Sequence, residues 1–263
     1  MKFETIEIDV KESVGTIWFN RPAIHNAFNE RMISEITAAL NALSIDPTVK
    51  IVVMRGRGKS FCAGADLNWM RDVASYSYEQ NFEESLNLSK CFYAIYSFPK
   101  PTIAIVHGAA IGGANGLLAA CDLAYCEENT TFSLSEVKIG IIPACISPYV
   151  TKRVGEYSSR ELMLTGKRFQ GAEAFRHHLV NGFYPAETLD DSVNEVIKHL
   201  LTSGPAAMTH CKQLLLNLCN DWTLEDAIVK TAEIIADIRQ SAEGQEGMAA
   251  FLEKRKPNWV SPT

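Results

Sequence analysis

The chain has 263 residues, of which 47% are hydrophobic and 21% are charged. These proportions are typical of a globular protein with one large core and exclude a disordered or fibrous chain. The net charge of −6 and the pI of about 5.6 argue against general attraction to nucleic acid or to anionic membranes. No apolar stretch approaches the ~20 residues of a membrane span. We expect no signal or transit peptide, because the amino terminus alternates like a strand from its third residue.

The cysteines and histidines indicate a reducing compartment and no metal. Seven cysteines occur without a C-x-x-C pair, so we expect a cytoplasmic protein in which most of them are small buried hydrophobes. The six histidines show no H-x-x-x-H spacing, and the sequence therefore predicts no metal site. His107, His177 and His210 lie in largely apolar segments, where a histidine is more often a hydrogen-bonded core residue than a catalyst.

Strand and helix patterns alternate through the first half of the chain. Two β-rich segments, 3–9 and 14–19, predict neighbouring strands joined by Lys11-Glu12-Ser13. Asn29 is expected to cap an amphipathic helix whose inner face carries Met32, Ile33, Ile36, Ala39, Leu40 and Leu43. The chain then predicts a buried strand at 50–54, a helix at 78–97, a strand at 102–106 and a glycine-rich turn into another helix. This order is typical of an α/β fold with right-handed crossovers.

Helical patterns dominate the second half. They cover 157–165, 187–203, 205–219, 223–241 and 244–254. We expect this region to pack on the core or on neighbouring subunits.

Two loops place small residues where a buried strand ends and a helix begins: FCAGAD at 61–66 and HGAAIGGANG at 107–116. Backbone amides at a helix start lack intrahelical partners and attract negative charge. Two such amides aimed at one carbonyl oxygen would form an oxyanion hole, although on glycine content alone two tight structural turns are the simpler interpretation. Nucleotide-binding loops are excluded, because Val53 stands where the GKS at 58–60 would need a glycine and no G-x-G-x-x-G is present.

Taken together, the motifs of this chain resemble the crotonase, or enoyl-CoA hydratase/isomerase, family. They are NRPAIHNAFN, FCAGADLNWM, KPTIAIVHGAAIGGANGLLAACDLAY, FSLSEVKIGIIP and GMAAFLEKRKPNW, in this order from residue 20 to the carboxyl terminus. The resemblance implies a spiral of repeated β-β-α units over residues 1–200 and a helical C-terminal region over 201–263. It also implies an acyl-CoA thioester substrate with no separate cofactor, no nucleic-acid or membrane partner, and a homotrimer or a dimer of trimers.

The resemblance assigns roles to particular residues. It implies that the amides of Ala65 and Gly113 polarise the thioester carbonyl and that Glu136 is a catalytic carboxylate. The substrate is expected to contact Ala63, Asp66, Leu67, Gly112, Gly116 and Pro143, and Ala63 would contact the adenine of coenzyme A through its backbone. Coenzyme A is expected near His25, Arg57, Lys59, Phe251 and Lys254, of which the last two would come from a neighbouring subunit. Arg21 and Arg55 are further candidate cations, and Cys145 and Ser147 are candidates for lining the pocket.

Position 116 departs from the pattern, because many hydratases of the family carry a second catalytic glutamate there. We interpret Gly116 as room for a branched acyl group. The segments GGAxGL and SEVxIGxxPAxISPxV resemble bacterial methylglutaconyl-CoA hydratases in particular. The leading interpretation is therefore a hydratase, with a Δ3,Δ2-enoyl-CoA isomerase as the alternative, since one carboxylate suffices for it. A non-catalytic acyl-CoA- or RNA-binding protein is a third interpretation, disfavoured by the acidic pI and by Glu136.

Overall fold

The strands of the protein form two sheets. The computed structural model describes residues 3–260. A six-stranded sheet has the order β1-β2-β3-β4-β6-β8, and β5 pairs with β7 in a second, smaller sheet. The strands are β1 Ile6–Lys11, β2 Val14–Phe19, β3 Ile51–Gly56, β4 Thr102–Val106, β5 Ala109–Ile111, β6 Leu123–Glu127, β7 Thr131–Ser133 and β8 Gly182–Tyr184. The β1-β2 pair is antiparallel and every other strand pair is parallel.

Helices cover both faces of the large sheet, and the expected α/β fold with a helical C-terminal region is confirmed. They are α1 Glu30–Ile45, α2 Leu67–Val73, α3 Tyr78–Tyr96, α4 Ala114–Ala120, α5 Ser147–Thr165, α6 Gly171–Arg176, α7 Ala186–Leu201, α8 Pro205–Asn220, α9 Leu224–Gln240 and α10 Ala242–Leu252. Short 3-10 turns occupy Pro22–Ile24 and Glu136–Ile139. Within residues 3–260, no helix is both long and apolar enough to cross a bilayer.

Helix α1 shows how a local pattern specifies its own place in the fold. The Asn29 side chain accepts a hydrogen bond from the Met32 amide (3.1 Å) and so satisfies a donor at the helix start. All six apolar residues predicted on the inner face of this helix are buried. The stripe packs against the sheet and α3 because i, i+3 and i+4 positions share one face.

The structure differs from the sequence-based expectations where elements are short or kinked. Helix α5 begins at Ser147, against a predicted start at 157, and Gly155 breaks its helical geometry with a φ of 75°. Strands β5 and β7 have three residues each, too few to show alternation. Strand β1 starts later than predicted, at Ile6, and extends through Lys11.

The central strands β3 and β4 are buried on both faces, as parallel strands usually are. Residues of α1, α3 and α4 form the main core on one face. Leu189 and Val193 of α7 cover Val53 and Ile105 on the other face. The C-terminal helices contribute little to this core, since α9 has no buried residue. Four cysteines are buried, whereas Cys211 and Cys219 are exposed.

Candidate active site

The candidate site lies where β3 and β4 end. The two glycine-rich loops run side by side there, with a parallel bridge between Cys62 and Ala110. The Cys62 N–H donates to the Ala109 carbonyl (3.1 Å), and the Ile111 N–H donates to the Cys62 carbonyl (3.2 Å). Ala65 lies three residues after Cys62, and Gly113 lies three residues after Ala110. Because the two loops run parallel from this bridge, the amides of Ala65 and Gly113 lie at the same end of the loops.

The amides of Ala65 and Gly113 differ from those around them. Neither donates a hydrogen bond to any group in residues 3–260. Adjacent amides are paired: Asp66 N–H donates to the Phe28 carbonyl (2.9 Å) and Gly112 N–H to the Ser133 carbonyl (2.8 Å). Unpaired amides are rare in folded proteins away from water. Both residues are only half-buried, so these two donors can serve an external oxygen.

Phe28 and Asn115 hold the two loops in place, and the motif analysis missed both. The Phe28 backbone bonds to Gly64 and Asp66, while its ring lies so close to Gly113 that a Cβ there would stand 2.5 Å from Cζ. Asn115 is fully buried, and its amide group donates to the carbonyls of Ala110, Gly112 and Ser133. An asparagine inside the apolar run GGANGLLAA indicates a buried side chain that forms hydrogen bonds to the backbone, because buried polar groups are hydrogen-bonded.

Glu136 occupies the first position of a 3-10 turn next to this helix start. Its carboxylate packs over Gly112, where a Cβ would stand 3.4 Å from Oε1. Its Oε2 atom is buried and forms no hydrogen bond within residues 3–260. Burial raises the pKa of Glu136 above its usual value, because a low-dielectric environment disfavours the charged form. The structure thus brings together Ala65, Gly112, Gly113 and Glu136.

The expected space beside Gly116 is absent, which corrects the interpretation of this residue as room for a branched acyl group. A Cβ on Gly116 would lie 2.3 Å from Cγ2 of Ile146 and 2.9 Å from Cε1 of Phe92. Gly116 is buried in α4. The neighbouring side chains therefore already fill the volume that a side chain at 116 would occupy.

Asp66 stabilises the loop. One oxygen accepts from the Asn68 amide (2.9 Å) at the start of α2, and the other pairs with Arg21 (2.7 Å). Burial alone would raise the pKa of Asp66, but the Asn68 amide and the Arg21 guanidinium hold it below the usual value. Arg21 also donates to the Ala27 carbonyl. Both side chains are therefore already engaged within the chain.

The candidate CoA-binding residues separate into two groups. His25 and Lys59 are exposed, and the Ala63 N–H donates to the His25 carbonyl (2.9 Å), so these three lie around one loop. The Arg57 guanidinium stacks 3.8 Å from the Trp18 ring and pairs with Glu7. Arg55 also lies over that ring and pairs with Asp190. These two arginines are held by other residues of the chain.

Phe251 and Lys254 lie at the other end of the sheet within one chain. Both are exposed. Trp259, which packs on Gly247 of α10, accepts a hydrogen bond at its carbonyl from Lys50, just before β3. The candidate site follows the far end of this six-residue strand, roughly 20 Å away at ~3.3 Å per residue. One chain does not bring these two residues to the loops.

The remaining candidates have varied surroundings. Leu67 is exposed at the start of α2, and Pro143 is buried with its carbonyl accepting from the Ser147 amide (3.0 Å). The Ser147 hydroxyl donates to the Ala144 carbonyl. Cys145 is half-buried with its thiol 3.7 Å from the Ser85 carbonyl. Trp69, which the motif analysis left unassigned, packs against Phe28 at 5.7 Å between ring centroids, and its buried Nε1 has no acceptor in the described residues.

One group of side chains has the spacing of a metal site. Ligand atoms of Glu161, Glu173 and His177 lie within 4.8 Å of one another. The Lys167 ammonium pairs with both carboxylates, so a cation of the chain already neutralises them. His177 is a buried residue whose Nδ1 contacts the Ser158 hydroxyl at 3.0 Å.

The fold and the site define the class. The site is built on a parallel α/β sheet, with two unpaired amides beside one buried carboxylate, and the model of the family described as "Enoyl-CoA hydratase/isomerase" matches residues 9–262. The chain belongs to the enoyl-CoA hydratase/isomerase family and is an enzyme of that family.

Its relatives include proteins named for both reactions. The chain is 32% identical to a crotonyl-CoA hydratase of Syntrophomonas wolfei, over 99% of this chain and 100% of the relative. It is 30% identical to a peroxisomal Delta(3,5)-Delta(2,4)-dienoyl-CoA isomerase of Arabidopsis thaliana, over 98% of each chain. The crystal structure of an enoyl-CoA hydratase from Shewanella pealeana is 40% identical, with a TM-score of 0.94 over 98% of this chain and 97% of that chain.

Proposed function

We propose that the protein catalyses the reversible hydration of a 2-enoyl-CoA thioester through an enolate. The observation that carries the proposal is the unpaired carboxylate of Glu136, which lies over Gly112 beside the free amides of Ala65 and Gly113. Buried polar groups without partners cost stability. The Glu136 carboxylate and the two amides lie together where β3 and β4 end. A binding site for a polar ligand requires such groups without partners.

The chemistry follows from the charges that develop. The Ala65 and Gly113 amides would donate to the thioester oxygen, which gains negative charge as the enolate forms. One such donor contributes ~10² to 10³ in rate. Glu136, ionised, would orient and deprotonate the water that attacks the β-carbon and then deliver a proton to the α-carbon. General acid-base assistance of this kind contributes roughly 10² to 10⁴.

For the substrate, we propose 3-methylglutaconyl-CoA or a related branched enoyl-CoA, as in leucine breakdown. Support comes from the local pattern around Gly116 and Glu136, which resembles methylglutaconyl-CoA hydratases. Free space beside Gly116 does not support this substrate, because Ile146 fills that volume. We propose no cofactor and no metal, since coenzyme A is part of the substrate.

An isomerase is the second candidate function. Position 116 supplies no carboxylate, and moving a proton between two carbons needs only one group such as Glu136. The resemblance to a dienoyl-CoA isomerase also favours this candidate. A non-catalytic acyl-CoA- or RNA-binding role is disfavoured, because it would leave the buried carboxylate without a use.

The proposal extends to the assembly, a homotrimer or a dimer of trimers in which a neighbour supplies Phe251 and Lys254 to the CoA site beside His25, Lys59 and Ala63. Support comes from α9, whose exposed apolar side chains include Leu224, Ile228, Val229 and Ile235. Large exposed apolar patches mark interaction sites. Light scattering should give a mass three or six times the 29.1 kDa of one chain; a mass of one chain would contradict the assembly.

The experiment that tests the function compares three substrates in one steady-state assay: 3-methylglutaconyl-CoA, crotonyl-CoA and a 3-enoyl-CoA. Gain or loss of the conjugated thioester absorbance reports each reaction. Preference for the branched ester supports the proposed hydratase. Conversion of the 3-enoyl ester alone would establish an isomerase, and binding without turnover of any ester would contradict both enzymatic proposals.

A further inference from the structure

A side chain at position 116 would overlap the side chain of Ile146. A Cβ on Gly116 would stand 2.3 Å from Ile146 Cγ2 and 2.9 Å from Phe92 Cε1, well inside normal carbon contact distances of about 3.5–4.0 Å. Ile146 is 3% exposed and Phe92 is fully buried. The position beside Gly116 is therefore closed by apolar side chains.

Ile146 cannot easily give way. It precedes α5, and its carbonyl accepts hydrogen bonds from the amides of Tyr149 and Val150 (both 3.1 Å). The Tyr149 ring lies 6.0 Å from the Phe92 ring. Moving Ile146 would therefore disturb both the start of a helix and an aromatic contact in a close-packed core, where added volume is poorly tolerated.

The closed volume lies one helical turn from the reacting centre. The Gly116 N–H donates to the Gly113 carbonyl (2.9 Å), so a side chain at 116 would project from the first turn of the helix that presents the Gly113 amide. Resting on the proposed function, we propose that Ile146 is a specificity-determining residue. Matched with Gly116, it excludes a second carboxylate from this turn and restricts the enzyme to enoyl-CoA esters whose reaction one carboxylate, Glu136, can serve.

Two ionisable groups near Ile146 stay protonated near neutral pH. Burial raises the pKa of the Cys91 thiol and that of the Tyr149 hydroxyl to about 12. Cys145, which precedes Ile146 in the sequence, directs its thiol to the Ser85 carbonyl. A new ionisation in the pH profile of a variant would therefore report the introduced carboxylate.

The first part of the test measures volume alone and needs no activity. Gly116→Ala should lower the midpoint of thermal unfolding by roughly 3 to 10 °C, because the added Cβ overlaps Ile146. Ile146→Ala should also lower it, by leaving a cavity. The double variant Gly116→Ala/Ile146→Ala should lose less than the sum of the two single losses. Additive losses, or an unchanged midpoint for Gly116→Ala, would show that Ile146 does not fill the volume beside Gly116.

The second part measures chemistry with Gly116→Glu/Ile146→Gly and, as its control, Ile146→Gly. The double variant should hydrate crotonyl-CoA at least tenfold faster than the control, and its pH-rate profile should acquire a second ionisation. An unchanged profile and rate in a folded double variant would overturn the role of Ile146 in specificity. If the wild-type protein turns over no enoyl-CoA, the proposed function fails, whereas the thermal comparison still decides whether Ile146 and Gly116 are matched.

Discussion

The loops that follow β3 and β4 and the C-terminal helices α8–α10 differ in how completely one chain specifies them. The two loops are joined by backbone hydrogen bonds, the buried Phe28 ring packs against Gly113, and the buried Asn115 side chain attaches the second loop to Ser133. Helix α9 buries no residue, and Phe251 of α10 is 83% exposed. One chain therefore fixes the geometry of the two loops in advance, whereas we expect the outer part of the proposed ligand site to depend on association. Changes in the two regions should give separable effects.

The largest expected effect is on turnover, from Glu136→Gln. The neutral amide cannot accept a proton, so kcat should fall by at least ~10² while binding of the CoA ester is largely retained. Steady-state kinetics and calorimetric binding of a CoA ester measure the two quantities. Unchanged kcat would remove Glu136 from the mechanism.

The same variant should be more stable than the wild type near neutral pH. Burial raises the pKa of Glu136 above its unfolded value of 4.5, so the folded state binds the proton more tightly than the unfolded state. The wild type therefore loses stability as the pH rises from 4.5 through the higher pKa of the folded state. The gain should vanish below about pH 4. Glu84→Gln is the matched control: burial also raises the pKa of Glu84, which lies in α3, so stability should rise without a loss of kcat.

Arg21→Met should have the next largest effect, on stability. It leaves the buried Asp66 carboxylate without its ion-pair partner and should cost about 3–5 kcal/mol of unfolding free energy. The folded pKa of Asp66 is below its usual value of 3.8, so this contribution is present above that pH and is lost as the pH falls.

The control for the ion pair is Arg31→Met, because Arg31 pairs with Glu4 where both side chains are more than half exposed. That loss should be at most about 1 kcal/mol. Denaturant unfolding at neutral pH measures both variants. Equal losses of unfolding free energy in the two variants would show that the Arg21–Asp66 pair does not stabilise the loop at 61–66.

The smallest expected effect on a single chain is that of Phe251→Ala. An exposed side chain should change the unfolding free energy by no more than about 0.5 kcal/mol. If a neighbour presents Phe251 to coenzyme A, KM for the CoA ester should rise while kcat is retained. Tyr157→Ala is the control, since Tyr157 is 85% exposed and is assigned to no site. An identical KM for both variants would contradict the shared CoA site.

The sequence alone predicted much of the site but not its packing. The family resemblance grouped Ala65, Gly113 and Glu136, and the structure places these three residues close together. Two interpretations depended on residues distant in the chain and were not foreseen. Gly116 proved to be closed by Ile146, and Arg57 proved to stack on Trp18.

What the sequence determined by itself was local: the apolar stripe and Asn29 cap of α1, the apolar strands β2 to β4, and the ordered motifs that place the chain in its family. Periodicity specifies such features because it acts over a few neighbouring residues. Only the tertiary structure decided the three-residue strands β5 and β7, the filled volume at Gly116 and the unpaired amides of the site. Each of these depends on which distant groups meet in space, and neither composition nor spacing encodes that.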